Sequence, residues 1–395
     1  MQPTGRTSVA SAGRLRLSGR LLPALLYTLS LGLFVLKESV APFRMGDLKV
    51  YQAEGFALAH GLDLYGPLPG VHGLATYPPF AAMAFVPVSA VGFWLASLGY
   101  VVVDIGLVAY IAIASFRIAG WSRESALRAG LVLAAIGLWL EPVYTTFGYG
   151  QVNLALLALV LYDFVDAPPR AGGIATGIAA AIKVTPLIFV VYLLVTRRIA
   201  FAARAVAAFV AALCLSLCVN AHATWTYWTK DLYDSRRMGR LENAVNQTVR
   251  GMAVRLEHTR DVSFLVTVLA GIVLVVGLLV SRTAHESQGD ALGLSCCAVT
   301  GLLCSPISWS HHWVWCLPMI AAAWAHGARW FAVVQTAVFA SFAVWFVPHA
   351  NSAELHFGWR QFAFSNLYVY IGFGYLIAVG LLARAGVPGR WRFGR

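Results

Sequence analysis

The sequence predicts an all-α polytopic membrane protein, on three observations. Of its 395 residues, 59% are hydrophobic and 12% charged, where soluble domains carry about 25% charged residues. Apolar runs of spanning or near-spanning length recur from one end of the chain to the other. The runs are continuous rather than alternating, which excludes a transmembrane β-barrel. No stretch is long and polar enough for a separate soluble domain, so residues 1–395 are read as one transmembrane domain.

Apolar segments fall near residues 21–37, 77–92, 93–116, 128–143, 150–165, 172–196, 199–220, 262–281, 290–305, 313–326, 329–347 and 366–385. About 12 transmembrane helices are therefore expected, some short or broken. The first run is read as an uncleaved anchor, because Ser39-Val-Ala41 is a poor cleavage site. Segments 128–143 and 150–165 are short and suit half-helices. Segment 172–196 contains Lys183 and Pro186, so a break is expected there. Broken helices are tolerated only where the freed backbone lies inside protein or along a cavity.

The net charge of +12 follows topology. Arg6, Arg14, Arg16 and Arg20 precede the first run, Arg197, Arg198 and Arg204 flank a middle loop, and Arg384, Arg390, Arg392 and Arg395 end the chain. The positive-inside rule makes these regions cytoplasmic. Segments 38–76, 220–261, 305–312 and 348–364 then fall on the outer face. Loops 38–76 and 220–261 are the longest polar stretches and are expected to cover the active site. Basic charge so placed contacts anionic lipid; nucleic-acid binding would need a soluble basic face, and none is visible. The six cysteines lie in apolar runs without Cys-x-x-Cys spacing and read as small core hydrophobes.

The polar motifs suit transfer of a sugar from a lipid phosphate. Such a reaction needs a base for the acceptor hydroxyl and a cation for the departing phosphate. A phosphate monoester leaves readily, its second pKa being about 6. One carboxylate is therefore enough, unlike the pair that glycoside hydrolysis uses. Asp47, just after the first run, is the candidate base. Read alone, it also suits a helix N-cap or an ion pair with Arg44 or Lys49. Glu54 lies seven positions on and shares its face if the stretch is helical. Tyr77-Pro-Pro-Phe80 sets the start of a helix, and Tyr77 is a candidate substrate contact. Gln151 and Asn153 are amides at a helix start, placed to bond hydroxyls or simply to cap.

Lys183 sits inside an apolar run, where a cation is costly and usually functional or paired, so it is the candidate phosphate ligand. Arg250 and Asn246, in Asn246-Gln-Thr-Val-Arg-Gly251, are further substrate candidates; a guanidinium binds phosphate bidentately. His311 and His312 close the Ser305–His312 motif. On a helix, neighbours point about 100° apart, so only one of the pair is expected to face a cavity, and no metal site is expected.

These motifs, in this order, resemble the GT-C superfamily of membrane glycosyltransferases. The match is to the actinobacterial polyprenol-phosphate-mannose-dependent mannosyltransferases, and within them to those that build α-(1,2) linkages on phosphatidylinositol mannosides. It rests on Met45-Gly-Asp-Leu-Lys-Val-Tyr51, Tyr77-Pro-Pro-Phe80, Gly150-Gln-Val-Asn153, Ile182-Lys-Val-Thr-Pro186, Asn246-Gln-Thr-Val-Arg-Gly251 and Ser305-Pro-Ile-Ser-Trp-Ser-His-His312. The resemblance implies a GT-C fold, with Asp47 as base and His311 as a partner of donor or acceptor. It implies inverting transfer from a β-mannosyl phosphate to an α-linked product. The donor would be polyprenyl-phosphate-mannose and the acceptor a mannosylated phosphatidylinositol. It implies a cavity opening to the periplasmic side and to the outer leaflet. A monomer in the cytoplasmic membrane is expected, with no cofactor and no metal. Where the family usually has an acid before the histidine pair, this chain has Ser310. The competing readings are an arabinofuranosyl- or other hexosyltransferase using a polyprenyl-phosphate sugar, a lipid or solute transporter, and a scaffold. No inverted repeat supports the transporter, and a scaffold would not need Asp47 and Lys183 so placed.

Overall fold

The computed structural model describes residues 9–234, 237 and 239–385, with side chains from Leu21 onward. Arg6, Arg236, Arg390, Arg392 and Arg395 lie outside the described residues. The described chain is helical, with one isolated β-bridge, Asn246 to Trp309. The helices are α1 (Val9–Val40), α2 (Gly46–Ala59), α3 (Pro79–Ser89), α4 (Phe93–Ile118), α5 (Arg123–Gly137), α6 (Glu141–Tyr149), α7 (Asn153–Val165), α8 (Ile174–Ile182) and α9 (Leu187–Val195). They continue as α10 (Ile199–Val219), α11 (Ala221–Thr229), α12 (Val249–Glu257), α13 (Phe264–Gln288), α14 (Asp290–Cys304), α15 (Cys316–Ala325), α16 (Arg329–Ala340), α17 (Trp359–Phe364) and α18 (Leu367–Arg384).

Among the described residues five helices are long and apolar enough to cross a membrane: α1 over Leu21–Val40, α4, α10, α13 and α18. The pair α5–α6, bent by 66°, makes a sixth if taken as one span. The chain is thus multi-pass by length and composition. The remaining apolar segments form shorter helices, so the full-length spans are fewer than the twelve apolar segments of the sequence. The expected half-helices are present as α5, α6 and α7. The expected break is present too. Helix α8 stops at Ile182, Lys183 is extended (φ −145°, ψ 129°), and Pro186 precedes α9. Proline disfavours helical backbone in the residue before it, so the run cannot continue through Thr185.

One large core joins α4, α5, α7, α14, α15 and α18 around the fully buried Trp313. Helix α13 packs along α14 and leaves Leu265, Ile272, Val275 and Leu279 exposed, a face suited to lipid. Helix α2 has no membrane length. A smaller cluster of Met45, Leu48, Tyr51, Tyr77, Ala81 and Phe85 packs it against α3. That packing puts the first polar motif beside the second.

Candidate active site

A cavity of about 560 Å³ draws on motifs far apart in sequence. Its lining comes from α2, the Tyr77 motif, the turn between α6 and α7, the break between α8 and α9, the 220–261 segment and the Ser305–His312 turn. These are short helices, helix ends, a break and, at Asn243 and Val245, loop. Such places carry side chains and backbone groups not already committed to a helix.

Helix α2 starts from a left-handed Met45 (φ 45°), whose N–H donates to the Gly148 carbonyl at 2.9 Å. Gly150 ends α6, also left-handed (φ 73°), and a Cβ there would lie 2.6 Å from Leu48 Cβ. Both the backbone angle and the contact with α2 call for glycine. This joint fixes α2 against the α6–α7 turn. Asp47 occupies the first turn of α2 and Glu54 follows nearly two turns on; both line the cavity.

Gln151 links the two sides of the site. Its amide donates to Asp47 Oδ2 at 2.5 Å, and its Oε1 accepts from the hydroxyls of Tyr51 and Tyr77, each at 2.9 Å. A carboxylate only accepts, so the amide nitrogen must be the end that faces Asp47. Tyr100 holds the Gln151 carbonyl from behind. Burial raises the Asp47 carboxyl above its ordinary value, opposed by the Gln151 bond and by the charge of Lys183. Glu54 is pushed up to about 8, first by burial and then by the neighbouring Asp47.

Lys183 is 8% exposed and lies across the cavity. Its ammonium donates to Tyr77 Oη and Asn153 Oδ1, each at 3.1 Å, and sits 3.0 Å from His312 Nε2. Burial lowers Lys183 to about 7, opposed by the charge of Asp47; when Lys183 is protonated, His312 Nε2 is the acceptor. Asn153 also donates to the His311 carbonyl at 3.0 Å, which ties α7 to the histidine turn.

The histidine pair departs from expectation. His311 and His312 both line the cavity, with ring centroids 4.8 Å apart and planes at 89°. They lie on a 3₁₀ turn, Ser310–Trp315, and not on a regular α-helix, so α-helical divergence does not govern them. His311 Nε2 is buried without a protein partner among the described residues. Ser310, in turn, donates to the buried Glu141, which also receives Trp345 Nε1 and Tyr368 Oη, each bond 2.7 Å.

Asn246 and Arg250 are not brought to the cavity lining. Asn246 is fully buried, and its side chain is spent on Ser308 N–H (3.1 Å) and the Leu241 carbonyl (3.0 Å). With the bridge to Trp309 and a bond from Gln247 N–H to the Ser308 carbonyl (2.8 Å), it clamps the 220–261 segment to the histidine turn. Arg250 is half-buried on α12. The arginine that does line the cavity is Arg237, which donates to the carbonyls of Tyr65 (2.9 Å) and Ala75 (3.1 Å). Nothing in the sequence separates it from the other arginines of that loop. Tyr51 also went unmarked, although Asp47, Tyr51 and Glu54 stand at helical spacing.

A second, apolar cavity of about 400 Å³ adjoins the first, lined by Leu156, Leu157, Leu187, Ile188, Leu274 and Trp315 among others. Lys183, Thr185, Ser305 and His312 line both. Among the described residues, no group of three or more His, Cys, Asp or Glu side chains is arranged to hold a metal ion.

The sequence profile of Glycosyltransferase family 87 matches residues 75–306, more than half of the chain. The chain belongs to glycosyltransferase family 87. A family relative from Mycobacterium tuberculosis (strain CDC 1551 / Oshkosh), a polyprenol-phosphate-mannose-dependent alpha-(1-2)-phosphatidylinositol pentamannoside mannosyltransferase, is 36% identical over 310 residues, covering 75% of this chain and 70% of its own. A second, from Mycobacterium tuberculosis (strain ATCC 25618 / H37Rv), is a polyprenol-phosphate-mannose-dependent alpha-(1-2)-phosphatidylinositol mannoside mannosyltransferase. It is 32% identical over 299 residues, 71% of this chain and 70% of its own. The pentamannoside enzyme of Mycolicibacterium smegmatis (strain ATCC 700084 / mc(2)155) is 35% identical over 246 residues, 62% of this chain and 60% of its own. No solved structure matches the chain significantly. The family 87 match takes in Tyr77, Gln151, Asn153 and Lys183, whereas Asp47 and the histidine pair lie on either side of it.

Proposed function

We propose that this family 87 glycosyltransferase moves mannose from polyprenyl-phosphate-mannose to a hydroxyl of a phosphatidylinositol mannoside, forming an α-(1,2) linkage with inversion, on the periplasmic side of the cytoplasmic membrane. The observation that carries this reading is the sharing of Lys183 and His312 between the polar cavity and the apolar one. A lipid phosphate with its head at Lys183, its sugar toward Asp47 and its chain along Leu187, Ile188 and Leu274 would use both. The named activities of the relatives point the same way.

In the reaction, the acceptor oxygen attacks the anomeric carbon while its proton passes to the Asp47 carboxylate. The bond from the anomeric carbon to the phosphate oxygen breaks, and its electron pair leaves with polyprenyl phosphate. Lys183 offsets the charge that develops there, an electrostatic task for a fixed cation. A single displacement on the face opposite the leaving group inverts the anomeric centre. Chemistry of this kind needs no metal cofactor, since the phosphate charge is met by Lys183.

The test is incubation of the purified protein with polyprenyl-phosphate-mannose and a panel of phosphatidylinositol mannosides, with products resolved by mass spectrometry and linkage by NMR. A new α-(1,2)-linked mannose is expected. Transfer from a polyprenyl-phosphate pentose, with none from the mannose donor, would overturn the reading.

A further inference from the structure

The displacement leaves two cavity carboxyls unused: Asp231, which pairs with Arg237 at 3.6 Å, and Glu54. Glu54 is 2% exposed and lines the cavity. A carboxyl on a cavity wall is satisfied by whatever occupies the cavity. Its partner is therefore sought in what fills the cavity.

Its position says which substrate. Asp47 and Glu54 are seven residues apart on one stripe of α2, so their Cα atoms are separated by about 10 Å along the axis. That is longer than one pyranose ring. A sugar hydroxyl held at Asp47 leaves Glu54 beside the next sugar. Lys183 lines both cavities while Asp47 and Glu54 line only the polar one, which puts the donor phosphate on the Lys183 side. Tyr77, Tyr227, Asp231 and Arg237 line the polar cavity with Glu54, and none of them lines the apolar one.

We infer that Glu54 reads a hydroxyl of the acceptor's penultimate sugar, and so sets the shortest acceptor glycan that the enzyme accepts efficiently. The inference rests on the mannosyl-transfer reading above for its choice of acceptor. Held neutral by burial, the carboxyl would donate its proton to that hydroxyl's oxygen.

The experiment measures binding and transfer with two acceptors, phosphatidylinositol monomannoside and a dimannoside extended by one sugar on the same arm, in wild type, Glu54→Ala and Glu54→Gln. Binding is read without donor. For the dimannoside, Glu54→Ala is expected to weaken binding and lower kcat/KM roughly 10- to 100-fold, as for a lost buried hydrogen bond. For the monomannoside and for donor KM, it is expected to change little. Glu54→Gln keeps a donor and is expected to restore most of the dimannoside affinity. Equal losses on both acceptors, or a loss confined to the donor, would overturn the inference. So would a Glu54→Gln protein no better than Glu54→Ala. If wild type binds the acceptors with this pattern but transfers nothing from polyprenyl-phosphate-mannose, the donor assignment fails and the Glu54 role stands.

Discussion

Gln151 holds the Asp47 carboxylate by a 2.5 Å hydrogen bond from its side-chain amide. The same amide is fixed in orientation by two tyrosine hydroxyls. The carboxylate is thereby aimed before any substrate arrives, while burial keeps it more basic than a carboxylate in water. The first two predictions grow from this pair.

Asp47→Asn keeps the shape and removes the basicity. Transfer is expected to fall roughly 10²–10⁴-fold, the usual contribution of a general base, with the thermal unfolding midpoint in detergent nearly unchanged. Only the ionised carboxylate accepts a proton, so wild-type kcat/KM should rise with pH through a limb set above the ordinary Asp value. The limb should vanish in the Asn variant. A folded Asp47→Asn enzyme with wild-type turnover would falsify the assignment.

Gln151→Ala removes the donor that opposes the burial effect on Asp47. The acidic limb of the pH profile should therefore move to higher pH, and kcat should fall about tenfold, as for a hydrogen bond to a charged group. A variant with lower rate and an unmoved limb would show that Gln151 only packs.

Lys183→Met should raise donor KM and lower donor kcat/KM by roughly 10²–10³, the scale of losing one preorganised electrostatic contact. Acceptor binding should change less. Arg250→Ala is the matched comparison, because Arg250 lies outside the described cavity lining. Its donor kinetics should stay near wild type. Equal defects in the two variants would remove Lys183 from its special place.

Transfer should survive chelation. Product formation is measured in excess EDTA, with and without added magnesium or manganese. A loss that one of these ions restores would replace Lys183 by a metal as the phosphate partner, and would make Asp47 and the histidines candidate ligands.

Much of the site could be read from the sequence where local rules decide. The seven-residue spacing of Asp47 and Glu54 needed only a helix, and α2 supplies it. The Lys183–Pro186 break followed from proline and a misplaced cation. The parts that were not legible depend on tertiary contacts. The histidine pair sits on a 3₁₀ turn pinned by Asn153 and Asn246, which no periodicity reports. Arg237 rather than Arg250 reaches the cavity because the clamp at Asn246 fixes where the loop runs, and both are arginines in one basic stretch. Among the described residues five or six of the apolar segments form helices of spanning length, because apolar length in sequence does not distinguish a full span from a short helix packed inside the bundle.

The clamp between Asn246 and the Ser308–Trp309 backbone has a consequence for traffic. A segment sewn to a turn that lines the chamber does not swing away on its own to admit a guest. Substrates carried on lipid would then have to slip in sideways, through gaps between helices, without leaving the bilayer. The enzyme's pace would follow how crowded its substrates are within the plane of the membrane, and diluting the surrounding water would leave it untouched.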